Sequence, residues 1–217
     1  MTLRLAHRGD WRVAPENTIA AFEAALRISG CDGIEFDVRA AADGVPIVLH
    51  DQTLQRIHGV AARADELTAG DLEKLGVPTL DETLARIARR AFVDVELKEW
   101  VPGAMAVLEA GRGTNLERAV ISSFDEGVLA SVQAMRPGWP TWLNSVELGP
   151  SVLRRASVLG CRGISAEWHS ISRASLATVA AAGLDLAAWT VRRGATYQRL
   201  ERMGTFAICA EAAALDG

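Results

Sequence analysis

Eight short runs rich in β-formers alternate with Ala-, Leu-, Glu- and Arg-rich stretches along this chain, and no other feature limits its fold as much. The strand candidates are residues 3–6, 33–38, 92–97, 119–123, 141–144, 163–166, 186–190 and 206–210. Helical stretches fall at 17–28, 80–90, 102–111, 126–135, 151–159, 173–182 and 195–203, so a helix follows nearly every strand. Eight strand–helix units predict an α/β fold of parallel strands, a (β/α)8 TIM barrel. A ninth β-like run, 46–49, follows 33–38 too closely for a parallel crossover of about a dozen residues. It reads as a β-hairpin return after strand 2, turning at Asp43-Gly44, which would put Asp37 opposite His50. Residues 51–79, weakly helical at 68–75, are a short insertion before strand 3, expected to cap the barrel mouth. The eighth helix is expected as a stub at 212–215. A chain of 217 residues with no composition break suits a single domain, 1–217.

Composition removes several classes of function. A net charge of −4 with scattered Lys and Arg argues against nucleic acid or an anionic membrane as the main partner. No apolar stretch reaches the roughly 18 to 20 residues that span a bilayer. With a strand-like run from residue 3, no signal peptide is expected in this sequence. Cys31, Cys161 and Cys209 are odd in number and lack metal-ligand spacing, so they read as buried thiols of a cytoplasmic protein.

The chemistry starts from Gly33-Ile-Glu-Phe-Asp-Val38. On a strand, Glu35 and Asp37 share one face, while Ile34, Phe36 and Val38 take the other. Two acids aimed into an apolar interior cost too much free energy unless a cation or a partner neutralises them. With His50 nearby, the group resembles a catalytic metal site. Barrel active sites lie at the C-terminal strand ends. Those ends supply His7-Arg8-Gly9, Glu35 and Asp37, Glu96-Leu97-Lys98-Glu99, Ser122-Ser123, Asn144, Glu167 and Trp189.

Six short motifs in order carry a resemblance: His7-Arg8-Gly9, Pro15-Glu16-Asn17-Thr18, Glu35-Phe-Asp37, His50-Asp51, Glu96-Leu-Lys98 and Trp189-Thr190. Over roughly residues 5–190 the chain resembles the glycerophosphodiester phosphodiesterase family. The resemblance implies a metal-dependent hydrolase that releases sn-glycerol 3-phosphate and an alcohol from a small glycerophosphodiester. It implies Glu35, Asp37 and Glu96 as metal ligands, an oxygen set suited to Mg²⁺ or Ca²⁺. His7 and His50 would be general acid and base, acting by way of a cyclic phosphate. Arg8 and Lys98 would hold the phosphate. Asn17 reads as a helix cap, and Glu16 as a cap or a supporting residue.

Trp is frequent, six against one Tyr, and Trp11, Trp100, Trp168 and Trp189 all fall at or after strand ends. Trp189 matches a family position. The other three are expected, with Glu167 in support, to wall the alcohol side, where an aromatic face takes a choline-like cation. His58 and His169 are expected in surface or packing roles. The last strand departs from the family, reading Ala207-Ile-Cys-Ala-Glu211 where Thr-Asp before Pro is usual. Two rival readings accompany this one. One is a phospholipase D-like enzyme acting on lysophospholipid or sphingomyelin; the other is a non-catalytic phosphate-binding sensor barrel.

Overall fold

The structure is a computed structural model describing residues 1–113 and 116–216. In chain order the strands are β1 (Leu3–His7), β2 (Gly33–Ala40), β3 (Pro46–Val48), β4 (Phe92–Leu97), β5 (Ala119–Ser123), β6 (Thr141–Ser145), β7 (Gly163–Glu167), β8 (Asp185–Val191) and β9 (Ala207–Ala210). All but β3 run parallel, in the order β1-β2-β4-β5-β6-β7-β8-β9, and β9 pairs back onto β1. The expected eight-stranded barrel is therefore closed.

The helices are α1 (Ile19–Leu26), α2 (Gln55–His58), α3 (Ala69–Lys74), α4 (Leu80–Arg86), α5 (Pro102–Arg112), α6 (Glu126–Met135), α7 (Pro150–Val158), α8 (Arg173–Ala181) and α9 (Gly194–Met203). Their starts are written locally. Thr18, Thr68, Thr79, Asp125 and Ser172 cap helix N-termini with their side chains, and Pro102 and Pro150 open α5 and α7. After β9 a single 3₁₀ turn, Ala212–Ala214, stands where the stub was expected.

Strand alternation sorts side chains into two cores. From β4, Val93, Val95 and Leu97 join Ile34, Phe36 and Val38 of β2 in the layer beneath the helices. The opposite face of β4 carries Phe92, Asp94 and Glu96 into the barrel. Inside, the floor is apolar: Leu5, Phe92, Val120, Trp142, Ala187, Ala207 and Cys209 pack together. Trp142 stacks on Phe92 at 5.9 Å and meets the edge of Phe206 at 5.8 Å. Gly33 serves this floor, since a Cβ there would sit 2.1 Å from the Phe92 carbonyl oxygen. Above the floor the inward positions turn polar, and the functional site begins there.

The hairpin differs from expectation by one residue. Val38 pairs with Val48, Arg39 with Ile47 and Ala40 with Pro46. Asp37 therefore faces Leu49, whose N–H donates to the Asp37 carbonyl at 3.0 Å, and His50 lies beyond the strand. The cause is the turn. Gly44 adopts φ +77° and its N–H donates to the Ala41 carbonyl, making the loop three residues long instead of two. Residues 51–79 build a small core with β3 around Ile47, Leu49, Leu54, Leu72 and Val77. Their contribution to the barrel-mouth cavity, among the described residues, is Arg56.

Candidate active site

A cavity of about 830 Å³ opens at the C-terminal end of the barrel. One side is charged and is built from β1, β2 and β4. Glu35, Asp37 and Glu96 each bring a carboxylate oxygen within 4.8 Å of the other two. Strand pairing makes this so, because Asp37 is the register partner of Glu96 and Glu35 is that of His7. Glu35 Oε2 and Asp37 Oδ1 are buried without a hydrogen-bond partner among the described residues. Asp37 Oδ1 has the charge of Lys98 beside it but no hydrogen bond, and Glu35 Oε2 has neither a Lys nor an Arg beside it. Such an oxygen is costly unless a cation takes it, and an all-oxygen set suits a hard divalent ion.

Two fixed cations flank the acids. Lys98 Nζ lies 2.5 Å from Glu96 Oε1 and 3.3 Å from Asp37 Oδ1. Arg8 Nε sits 3.0 Å from Asp37 Oδ2, an ion pair by distance although its N–H is not aimed at that oxygen. The Arg8 Nη1 hydrogen bond goes to Glu16 Oε1 at 3.0 Å. Asn17 Nδ2 donates to Asp37 Oδ2 at 2.9 Å. Arg8 and Asn17 both adopt φ +58°, a left-handed conformation that costs a non-glycine residue on the order of 1 kcal/mol. Both sit in this cluster, where the ion pairs and hydrogen bonds hold them.

Burial and partners split the carboxylates. Burial, with the Asp37 charge beside it, pushes Glu35 well above the usual range. Asp37 is equally buried, yet Arg8 and Lys98 outweigh that and hold it below its ordinary value. Deeper in the barrel, burial raises Asp94 to about 7.

Each histidine at the cavity has a carboxylate on Nδ1. His50 Nδ1 lies 2.6 Å from Asp51, itself held by Arg56 at 2.6 Å. Burial lowers the His50 pKa, which favours the neutral imidazole. His7 Nδ1 lies 2.5 Å from Glu211 Oε1, and His7 Nε2 is 3.7 Å from Glu35 Oε2.

The far side is aromatic and neutral. Phe124 meets Trp189 edge-to-face at 5.5 Å, with Trp11, Ser122, Asn144 and Ser165 also lining the cavity. Of the expected residues, His7, Arg8, Trp11, Glu16, Glu35, His50, Glu96, Lys98 and Trp189 line the cavity, and Asp37 and Asn17 lie buried behind. Trp100, Trp168 and Glu167 do not line it. Trp100 and Trp168 pack against the main apolar layer, Trp168 also stacking on His169, and Glu167 caps the turn after β7. Standing near a strand end says nothing about the direction a side chain takes. The helix-capping role expected for Asn17 belongs to Thr18, because Asn17 turns inward. His58 bonds the Leu75 carbonyl away from the cavity.

Sequence reading did not single out Glu211, Arg56, Arg192 or Phe124, all of which line the cavity. Glu211 and Phe124 directly follow β9 and β5, so the strand-end rule could have found them. His7 and Arg192 hold Glu211 down at about 2, although burial alone would raise it. A depressed carboxylate pKa stabilises the fold above its ordinary value of 4.5, and that contribution is lost as pH falls from 4.5 toward 2. Glu211→Gln should therefore melt below wild type at pH 7, with the gap closing across that window. A gap independent of pH would show that the charge contributes nothing.

A family model for the glycerophosphoryl diester phosphodiesterase family matches residues 7–214. The chain belongs to that family. A glycerophosphodiester phosphodiesterase of Caldanaerobacter subterraneus subsp. tengcongensis is 36% identical over 155 residues, 63% of this chain and 63% of that protein. The chain thus matches somewhat under two thirds of that relative's length. Family members of known structure share the whole barrel. That of Agrobacterium tumefaciens is 28% identical with a TM-score of 0.86, covering 100% of this chain and 99% of that one. An Oleispira antarctica phosphodiesterase, solved with the product sn-glycerol-3-phosphate, is 23% identical with a TM-score of 0.87, covering 97% and 93%.

Proposed function

We propose that the chain hydrolyses glycerophosphodiesters to an alcohol and sn-glycerol 3-phosphate, using a divalent cation and two histidines. One observation carries the reading. Three convergent carboxylates, two of them with a buried oxygen that accepts no hydrogen bond among the described residues, lie at and just behind the wall of a cavity that also presents two carboxylate-backed imidazoles. Glu35, Asp37 and Glu96 would hold Mg²⁺ or Ca²⁺, which supplies positive charge to the phosphoryl oxygens.

Arg8 and Lys98 offset charge developing on phosphorus. His50, whose neutral form burial favours, takes the proton from the substrate's glycerol hydroxyl as that oxygen bonds to phosphorus. His7, with a carboxylate at each ring nitrogen, gives a proton to the departing alcohol oxygen. The cyclic phosphate so formed is opened by water with the proton roles reversed. Trp11, Phe124 and Trp189 receive the organic part of the substrate. With Trp100 and Trp168 elsewhere, the case for a choline cage rests on these three alone.

Among the described residues no helix is long and apolar enough to cross a membrane. Three free cysteines accord with a cytoplasmic setting. The test is phosphorus NMR of a panel of glycerophosphodiesters in EDTA, then with Mg²⁺, Ca²⁺, Mn²⁺ or Zn²⁺ restored singly. Expected is no turnover in EDTA and recovery with Mg²⁺ or Ca²⁺. Full turnover in EDTA overturns the metal reading, and binding without turnover favours the sensor. The exposed aromatic rings at the mouth, Trp11 and Phe124, would also accept an acyl chain. Activity on a long-chain lysolipid above that on glycerophosphocholine would favour the phospholipase D-like alternative.

A further inference from the structure

We propose that Glu211 is a positioning residue for the reaction, accepting the Nδ1–H of His7 so that Nε2 faces the carboxylate cluster. The inference rests on the reading of His7 as a proton-transfer group. His7 and Glu211 lie 204 residues apart in sequence, and their side chains meet at 2.5 Å. Barrel closure makes the contact. Ala6 of β1 pairs with Ala210 of β9, so the residues that follow each of them emerge side by side at the mouth.

Glu211 is held on both flanks. Its backbone N–H donates to the Val191 carbonyl at 2.8 Å, and its second carboxylate oxygen accepts Arg192 Nε at 2.7 Å. It is 6% exposed, so water competes little for the first oxygen. A neutral imidazole carries one proton, and the partner of one nitrogen decides which nitrogen keeps it. A carboxylate at Nδ1 keeps one proton there and leaves Nε2 as the nitrogen that exchanges the other, giving it to the alcohol oxygen and then, as a lone pair, taking one from water. His7 Nε2 lies 3.7 Å from Glu35 Oε2, on the cavity side of the ring. The arrangement repeats at His50, where the carboxylate is the next residue, Asp51. The carboxylate–histidine–substrate order of hydrolytic triads has the same logic.

The test compares Glu211→Ala, Glu211→Gln and Glu211→Asp with wild type and His7→Ala, all as the Mg²⁺-loaded protein. Expected is a fall in kcat of about 10- to 100-fold for Glu211→Ala, with KM within about twofold. Glu211→Asp should recover part of the loss, and the Gln amide oxygen, still an acceptor, should fall between. The second readout is the ¹⁵N spectrum of the imidazoles at a pH where His7 is neutral. With four histidines in the chain, His7→Ala assigns the His7 signals. Wild type should show His7 protonated at Nδ1, and Glu211→Ala should shift it toward the Nε2–H form. Wild-type kcat in Glu211→Ala, or a wild-type His7 protonated at Nε2 alone, overturns the inference. Should the alanine variant fail to fold, the wild-type spectrum and Glu211→Asp decide it. If His7→Ala itself turns over normally, the fault lies in the underlying reading of His7.

Discussion

His7→Ala and His50→Ala should each lower kcat for a glycerophosphodiester by about 100- to 10,000-fold, the range that one positioned acid or base supplies. Mg²⁺ affinity should change little, because neither imidazole is among the three oxygen donors. The double variant should be scarcely worse than either single one, since an acid and a base that serve the same displacement at phosphorus act as a unit. Steady-state kinetics with isothermal titration of Mg²⁺ into each variant checks this. A histidine variant that loses metal binding and activity in parallel would make that residue a ligand or a structural prop. Near-normal turnover in both would remove acid–base catalysis by these residues altogether.

Asp37→Ala should be the most damaging single change to the charged side of the cavity. Asp37 is fully buried and is shared by Arg8, Lys98 and Asn17. Glu35 and Glu96 repel it, so its removal could in principle relieve strain. The contacts decide the matter: Arg8 Nε lies 3.0 Å from Asp37 Oδ2, Lys98 Nζ lies 3.3 Å from Oδ1, and Asn17 Nδ2 donates to Oδ2. These cations hold the Asp37 pKa below its ordinary value despite complete burial. Deleting one member of a buried ion pair typically costs about 3–5 kcal/mol. For a protein of this size that corresponds to a Tm lower by roughly 10 °C in EDTA. Asp37→Asn keeps the shape and a partner for Asn17, so it should lose less stability. Both variants should lose activity with the metal ligand. Differential scanning fluorimetry in EDTA, followed by Mg²⁺ titration, reads both effects. Wild-type melting and wild-type Mg²⁺ affinity in Asp37→Ala would refute the shared role.

Legibility in the sequence followed the range of the physics involved. Strand periodicity is local, so the inward face of β2 and β4 could be read directly from Glu35, Asp37 and Glu96. The hairpin register was less legible. A loop of two residues or three depends on whether Gly44 takes a positive φ, and both loops accept Asp-Gly. That one-residue difference moved Leu49 into the position expected for His50. Trp100 and Trp168 follow strand ends while Trp189 lies within β8, and of the three only Trp189 lines the cavity. Packing under the neighbouring helices, which leaves no mark on spacing, decided their direction.

The sequence by itself determined the eight strand–helix units, the inward carboxylates and the end of the barrel at which ionisable groups collect. Each follows from periodicities of two and 3.6 residues and from one rule of barrel architecture. Only the tertiary structure decided which groups touch. The Arg8 and Lys98 charges on Asp37 required β1, β2 and β4 to pair, the arrival of Arg56 at Glu16 required residues 51–79 to fold back over the mouth, and the pairing of His7 with Glu211 required the barrel to close. Closure joins the first strand to the last, and no local pattern reports on a contact 204 residues away.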